Sequence, residues 1–300
     1  MVNIKKVTDK GFFLHPTLKD NIDSLIVNAH KDNDFIIIVS GSGETRTGKS
    51  TLAQQLGYYI AYNRNAKFTL KNNICFSGKK LIENALKDEK SCYIYDEARE
   101  GLQSKKFYDK LNQSLLDFFA EAGQLNHFII LVLPDFFELD RGLAIVRSTI
   151  LLNVFYTYKK AKVKKGYGDI KTGQEYLKFE RGKFDFYNRD HKKIMYIKGK
   201  KMHDYNMGAP DFDGEFRDYW LVDKDKYRKL KDDFLRRQRF DVGKSDPHLK
   251  QRNALFKILT DSGLSQSQIS QLLSKEGIKM DRSTVSLGIK GHIEAVKCEL

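Results

Sequence analysis

Gly43-Glu44-Thr45-Arg46-Thr47-Gly48-Lys49-Ser50 is the stretch of sequence that decides the fold, and Thr51 follows it. The apolar run at residues 35–39 predicts a buried strand before this stretch, and residues 49–63 have the pattern of a helix after it. A glycine-rich loop in that position, ending in a lysine and a hydroxyl residue, binds the phosphates of nucleotides. Backbone N–H groups from Glu44 to Thr51 are expected to face those phosphates, helped by the helix N-terminus.

Individual residues of the loop have separate predicted roles. Gly43 and Gly48 are required because a Cβ atom would obstruct the turn or the approach of a phosphate. Lys49 is expected to contact the β- and γ-phosphates, and the hydroxyl of Ser50 is expected to ligate Mg²⁺. The loop therefore predicts a site for a nucleoside triphosphate with Mg²⁺.

Two acidic residues stand at the end of another apolar run, residues 91–96. Asp96 is placed to hold Mg²⁺ through water, and Glu97 to activate the water that attacks the nucleotide. An ordinary acidic strand end has the same local pattern, so the interpretation depends on its spacing of one strand–helix unit from the loop. The sequence contains no guanine-reading Asn-Lys-x-Asp motif, which favours ATP over GTP.

Short apolar runs alternate with helix-length amphipathic segments from about residue 33 to 158. This alternation predicts an α/β fold whose parallel sheet is covered by helices on both faces. The predicted strands are residues 34–39, 74–76, 91–96, 128–133 and 150–158. The predicted helices are residues 49–63, 79–86 and 105–122, with a helical turn near 139–147.

The remainder of the chain divides by composition. Residues 159–205 are rich in lysine and arginine, and alternating aromatic residues at 175–187 predict a basic β-hairpin that turns at 189–191 and returns along 193–197. A charged helix is expected at 224–239, followed by a linker at 241–247. The predicted domains are an N-terminal extension (1–32), the nucleotide-binding core (33–158), the hairpin with the charged helix (159–240) and a small helical module (248–300).

The fourth predicted strand leads into a group of candidate catalytic residues. Asp135 lies at its polar tip, where a side chain that senses the γ-phosphate is expected. Arg141 and Arg147 are candidates for an arginine finger that reaches the nucleotide of a neighbouring subunit. A buried salt bridge is the alternative role for Arg147, with Asp140 or Glu97 as its partner.

The C-terminal module has three helix-length segments with apolar residues on one face of each. The pattern resembles helix-turn-helix domains, and the longer turn around Gly277 is similar to winged forms such as the arginine-repressor family. That resemblance places a set of polar and basic side chains on the face of a recognition helix that contacts DNA. They are Arg282, Ser283, Thr284, Ser286 and Lys290. A helical packing or protein-interaction module is the alternative.

Overall composition limits the partner and the compartment. The formal net charge of +14 favours an acidic partner, and nucleic acid is the commonest one. Three cysteines without paired spacing favour a reducing compartment. The chain starts without the apolar core of a signal peptide, and its apolar runs are too short to span a bilayer. We therefore expect a soluble cytoplasmic protein with no membrane association, in the host cytoplasm if the source is viral.

The two nucleotide motifs together resemble P-loop ATPases of the additional-strand catalytic-glutamate class. Within that class, residues 33–158 look like the FtsK–HerA and zonular-occludens-toxin-like ATPases of viruses and mobile elements. The resemblance implies an oligomeric, ring-forming ATPase that uses ATP and Mg²⁺ to move double-stranded DNA, as in viral genome packaging. Glutamine is usual in FtsK-like proteins where this chain has Asp135, which is a departure from their pattern.

Two other functions remain open from the sequence. The order of an ATPase core followed by a winged helix also suits an AAA⁺-like replication initiator or helicase loader, in which ATP switches DNA binding. A phosphotransferase acting on a nucleoside or another small molecule is the third class. The acid pair and the DNA-like tail argue against the phosphotransferase.

Overall fold

The computed structural model describes most of the chain. The described residues are 12–31, 33–43, 45–98, 102, 110–162, 173, 175–241, 247–276, 278 and 281–289. Glu44, Gly277 and Lys290, which the sequence analysis singled out, lie outside them.

One seven-stranded sheet organises the fold, with the spatial order β2-β3-β4-β1-β5-β6-β7. The first five strands in that order are parallel, and β6 and β7 are antiparallel to their neighbours. The strands are β1 (Phe35–Gly41), β2 (Ile74–Cys75), β3 (Cys92–Asp96), β4 (Phe128–Asp135), β5 (Ile150–Lys162), β6 (Glu175–Tyr187) and β7 (Phe212–Glu215). The structure thus confirms the α/β class and the parallel core of the sheet.

Helices cover both faces of the parallel strands because these strands are apolar on both sides. The side chains of residues 36–39 in β1 are fully buried. The helices are α1 (Pro16–Ala29), α2 (Lys49–Asn63), α3 (Leu70–Asn73), α4 (Gly78–Ala85), α5 (Lys110–Glu121), α6 (Arg189–Gly199), α7 (Lys224–Asp241), α8 (Pro247–Asp261), α9 (Gln266–Lys275) and α10 (282–289). A π-helical turn, Gly142–Arg147, precedes β5. α2 packs on one face, while α4, α5 and α6 contribute to the core on the other.

The strand that separates the two nucleotide motifs in space is not the one that separates them in the sequence. Residues 74–75 form β2 at the edge of the sheet, next to β3. β4 lies between β1, which leads into the phosphate loop, and β3, which ends at Asp96. The strand predicted at 74–76 is therefore present, as β2, and its place at the edge of the sheet is a finding of the structure because chain order does not fix spatial order.

The basic β-hairpin exists, but the predicted second arm was wrong. β5 and β6 pair with each other along their length, and residues 189–199 form helix α6 instead of a turn and a strand. The side chain of Asn188 accepts hydrogen bonds from the N–H groups of Asp190 and His191, which caps this helix. Met195, Tyr196 and other buried residues follow helical spacing.

Two compact units divide the chain between Arg228 and Lys229, within α7. In the C-terminal unit, Phe256, Ile269, Val285 and Ile289 form an apolar core contributed by α8, α9 and α10. A capping box at Ser265 fixes the start of α9. The described part of this unit is helical, as the sequence predicts; the wing stays a prediction.

Candidate functional site

The phosphate loop occupies the carboxyl end of β1, where it passes into α2. Its backbone visits the left-handed region at Gly43 (φ 78°), Arg46 (φ 60°) and Gly48 (φ 107°). Such turns direct successive N–H groups toward one point and create an anion-binding concavity. Gly48 immediately precedes the first turn of α2, so the helix N-terminus faces the same point.

Lys49 and Gly48 lie in crowded surroundings. The Nζ atom of Lys49 donates to Oγ1 of buried Thr47 at 3.3 Å, and a Cβ at Gly41 would lie 3.2 Å from the same Nζ. A Cβ at Gly48 would lie 2.9 Å from the ring of Phe216. The ammonium group is therefore held over the start of the loop, and Gly48 is required both by its φ angle and by Phe216.

Ser50 and Asp96 meet across the sheet as the sequence predicts. The hydroxyl of Ser50 donates to Oδ2 of Asp96 at 3.1 Å, and Asp96 is 2% exposed. A hydroxyl and a carboxylate that converge beside a phosphate loop supply the hard oxygen ligands that Mg²⁺ prefers. The donor set of this chain therefore fits a magnesium ion held by Ser50 and, through water, by Asp96.

Glu97 stands directly beyond this carboxylate in a strained backbone conformation. Its φ angle is +68°, a conformation that costs energy for a residue with a Cβ. Its N–H donates to Oδ1 of Asp96 at 3.1 Å, and the next N–H, of Ala98, donates to the carbonyl of Val132 at 3.0 Å. The turn places the glutamate at the same edge of the sheet as the phosphate loop.

Tyr227 is a site residue that the sequence did not reveal. Its hydroxyl donates to Oδ2 of Asp96, the same oxygen that Ser50 contacts. The rings of Trp220 and Phe76 pack against Tyr227 at 4.9 and 5.5 Å between centroids. Asp96 and Tyr227 are far apart in the chain, so no local pattern could have indicated this contact.

Residues 216–227, here called the strap, bring Tyr227 to the site. Two buried glutamines of α2 hold the strap by its backbone. Gln55 Nε2 donates to the carbonyls of Arg217 and Tyr219 at 2.7 and 2.8 Å. Gln54 Oε1 accepts from the N–H of Leu221 at 2.9 Å. Helix α2, which follows the phosphate loop, therefore also anchors the strap that covers Asp96.

Asp135 lies next to the phosphate loop, at the carboxyl end of β4. The N–H of Gly43 donates to the carbonyl of Pro134 at 3.0 Å, which ties loop and strand together. The carboxylate of Asp135 lies 3.2 Å from the hydroxyl oxygen of Tyr205 and contacts Nδ1 of His203. Its role as a phosphate sensor stays a prediction, with His203 and Tyr205 added as neighbours that the sequence did not indicate.

Tyr205 connects the start of the loop with β4. Its hydroxyl donates to the carbonyl of Gly41 at 2.7 Å and lies 2.8 Å from Oγ of Ser40. It accepts from the N–H of Phe136 at 2.8 Å. Burial, with the nearby carboxylate of Asp135, raises the pKa of Tyr205 well above its usual value, so the hydroxyl remains protonated.

The two candidate arginine fingers differ in their surroundings. Arg147 forms an ion pair with Asp34, just before β1, at the amino edge of the sheet and opposite the phosphate loop. The salt bridge that the sequence analysis considered is therefore present, but its partner is neither Asp140 nor Glu97. Arg141 is exposed at the start of the π-helical turn. Action on a neighbouring subunit stays a prediction for both.

The candidate DNA-contacting residues of the C-terminal unit start helix α10. Asp281 caps this helix by accepting from the N–H of Thr284 at 2.8 Å and from the hydroxyl of Ser283 at 3.0 Å. Arg282 and Ser283 are exposed, while Thr284 and Ser286 are half-buried. Four of the five predicted residues thus share one short helix, and their contact with DNA stays a prediction.

Other classes of site were sought in the described part of the chain. No group of three or more His, Cys, Asp or Glu residues there is arranged to hold a metal ion. None of the described helices is long and apolar enough to cross a membrane. The phosphate loop, with Asp96 and Glu97, is therefore the arrangement from which function is best argued.

Comparisons with known proteins add one structural similarity. No family model and no curated protein matches the chain. Among solved structures, the chain is similar to the N-terminal domain of zonular occludens toxin from Neisseria meningitidis, with 15% sequence identity and a TM-score of 0.35. The match covers 65% of this chain and 98% of that domain. The α/β fold described for this chain rests on its own sheet order.

Proposed function

We propose that this protein is a Mg²⁺-dependent ATPase that acts on DNA as an oligomeric motor. The proposal of ATP hydrolysis depends on one observation: the hydroxyl of Ser50 lies 3.1 Å from the carboxylate of Asp96, beside the phosphate loop. Glu97 follows Asp96 directly in the chain. Phosphate loops alone indicate nucleotide binding. The buried carboxylate of Asp96, hydrogen-bonded to Ser50, and the neighbouring carboxylate of Glu97 supply the groups that hydrolysis requires.

In the proposed reaction, water attacks the γ-phosphorus in line with the bond to the bridging oxygen, and ADP leaves with that oxygen. The N–H groups of the loop bind the phosphates, and Lys49 neutralises charge that develops on the β- and γ-oxygens. Glu97 orients the attacking water and accepts its proton. Mg²⁺, when bound by Ser50 and through Asp96, supplies further neutralisation of phosphate charge.

An arginine from a neighbouring subunit is proposed to complete the site. Arg141 is the better placed candidate because it is exposed, whereas Arg147 is already paired with Asp34. A finger supplied in this way requires a ring or another closed assembly of identical subunits. The proposal therefore includes a homo-oligomer.

DNA is proposed as the substrate from charge and from the C-terminal unit. The net charge of +14 favours a polyanionic partner, and the exposed start of α10 offers Arg282 and Ser283 in the position of a recognition helix. The strands β5 and β6 continue beyond the core as a ribbon where an AAA⁺ protein carries a helical lid. This observation favours the motor over the initiator or helicase loader.

An ATPase assay with and without duplex DNA, together with the mass of the assembly in solution, tests the proposal. We expect Mg²⁺-dependent release of phosphate, stimulation by duplex DNA that weakens with salt, and an oligomer. A monomer whose turnover ignores DNA would contradict the motor. Phosphate transfer from ATP to a nucleoside, in place of release to water, would identify a kinase.

A further inference from the structure

The strands β5 and β6 extend past the sheet as a two-stranded ribbon, here defined as residues 155–162 and 175–182. β5 pairs with β1 only as far as Asn153, and β6 pairs with β7 only from Lys183 onward. Within the described residues, the ribbon strands therefore have only each other as strand partners. The outer residues of the ribbon, 158–160 and 175–179, are exposed.

One face of the ribbon carries a cluster of aromatic rings. Tyr158 stands directly opposite Phe179, and their ring centroids are 5.0 Å apart. Tyr156 packs edge-on against both rings, at 5.5 and 5.1 Å. Tyr158 and Phe179 are each 53% exposed, and neighbouring Leu177 is 59% exposed. Exposed apolar side chains that lie together, rather than singly, are typical of binding surfaces.

Positive charge surrounds the aromatic cluster. Because alternate residues of a strand share a face, Lys160 and Lys162 continue the face that carries Tyr158. On the opposite face, Lys159 pairs with Glu180 at 2.8 Å. The described residues of this stretch, 159–162 and 175–183, contain six lysines and arginines against two acidic residues. The ligand that complements this surface is therefore planar, apolar on its faces and strongly anionic.

We propose that this face of the ribbon binds single-stranded DNA, with bases stacked on the aromatic cluster and phosphates held by the flanking lysines. Base stacking on exposed aromatic rings beside a basic track is the general mode of binding for single strands. A duplex hides its base faces, and a second copy of this chain would bring a ribbon of the same charge. Lysine is also depleted from the cores of protein–protein interfaces.

The base of the ribbon contacts the phosphate loop through one residue. The N–H of Phe216 donates to the carbonyl of Gly182 at 2.7 Å, at the point where the ribbon leaves the sheet. The ring of Phe216 lies against Gly48 of the loop. Single-stranded DNA bound on the ribbon can therefore influence the phosphate loop through the contacts of Phe216. The proposal rests on the proposed function only in taking DNA as the partner.

Binding of a fluorescein-labelled oligothymidylate to the full-length protein tests the proposal, measured by anisotropy. The double variant Tyr158→Ala with Phe179→Ala is expected to bind about tenfold more weakly or worse. Tyr176→Ala, a matched control on the opposite face of the same ribbon, should bind like the wild type. Phe179→Trp should retain binding, and its added fluorescence should be quenched by the oligonucleotide.

Circular dichroism verifies that each variant is folded. Equal binding by the wild type and the double variant would overturn the proposal, as would a wild type that binds no oligothymidylate. The proposal would also be overturned if the double variant lost self-association or binding to anionic vesicles while it still bound DNA, because the aromatic face would then bind a second copy of the chain or a membrane. A folded wild type that never hydrolyses ATP would instead refute the proposed function, whatever the ribbon binds.

Discussion

The carboxyl edge of the sheet and the β5–β6 ribbon belong to one sheet but are built in opposite ways. At the carboxyl edge, Asp96 is almost completely buried and accepts hydrogen bonds from Ser50 and Tyr227. On the ribbon, Tyr158 and Phe179 leave about half of their surfaces open. Enclosure fixes groups and strengthens their electrostatic interactions, as catalysis requires. Exposure leaves ring faces available to a large partner, as binding requires.

Lys49→Ala gives the largest expected effect on the enclosed region. Loss of the ammonium group should reduce phosphate release by about 10²–10³-fold or more, because it removes charge stabilisation of the transferring phosphoryl group. Oligothymidylate binding by the ribbon should remain. Lys80→Ala, on the exposed surface of α4, serves as the control in both assays. If the Lys49 variant lost both phosphate release and oligothymidylate binding, the carboxyl edge of the sheet and the ribbon would be one site.

Tyr227→Phe is expected to have a smaller effect, confined to the metal side of the site. The hydroxyl of Tyr227 shares Oδ2 of Asp96 with Ser50. Without that hydroxyl, Oδ2 of Asp96 has one hydrogen bond fewer and is more available to Mg²⁺. The Mg²⁺ concentration for half-maximal hydrolysis should therefore fall by about two- to tenfold, which corresponds to the free energy of one modest hydrogen bond. Titration of Mg²⁺ at saturating ATP measures the change, with Tyr219→Phe in the same strap as control. A higher Mg²⁺ concentration for half-maximal hydrolysis would contradict the prediction and would mean that Tyr227 holds Asp96 in the orientation that binds Mg²⁺.

Lys192→Met tests the packing of the turn that precedes β5, and its expected effect is on stability. Fully buried Lys192 donates to the carbonyls of Ala144 and Ser148 at 2.7 and 2.6 Å, just before β5. Methionine would leave these carbonyls without that donor, at a cost of about 1–3 kcal/mol in the free energy of unfolding at about pH 10.5, where the penalty for burying a charged amine is largely gone. Urea denaturation measures this cost, and exposed Lys193→Met is the control. Equal stability of the two variants would remove Lys192 from this role.

The same lysine predicts a pH dependence. Burial lowers the pKa of Lys192 from 10.5 to about 7 in the folded protein, with a smaller contribution from Arg189. Between these values the unfolded chain binds more protons than the folded one, so stability due to this group rises with pH from about 7 to 10.5. The wild type should show this rise relative to Lys192→Met. A constant difference between them across that range would contradict the lowered pKa.

The sequence revealed the parts of the site that are local in the chain. The positions of the phosphate loop, Asp96 and Glu97 were predictable because short motifs fix their relation to one strand and one helix, while their roles stay predictions. Tyr205 and Tyr227 were not predictable, because they reach the site from segments more than a hundred residues downstream. Their positions depend on how the strap and the end of α6 pack, which no local pattern encodes.

The fold shows the same limit at the hairpin. Alternating aromatic residues correctly indicated β6, but residues 193–197 were also assigned to a strand. The apolar residues there include Met195 and Tyr196, which the helix α6 buries together. Short apolar runs fit a strand or a helix equally well, and the cap at Asn188 decides between them. The spatial order of β4 and β2 was likewise set by packing across the whole sheet.

Glu97→Gln provides the most direct test of the central claim that the acid pair turns a nucleotide-binding loop into an ATPase. Glutamine keeps the shape of the side chain but cannot accept the proton of the attacking water. We predict that phosphate release falls by about 10²–10⁴-fold while ATP remains bound at wild-type occupancy, with exposed Glu89→Gln unchanged. Turnover equal to the wild type, at equal occupancy, would remove Glu97 from the mechanism and contradict the account.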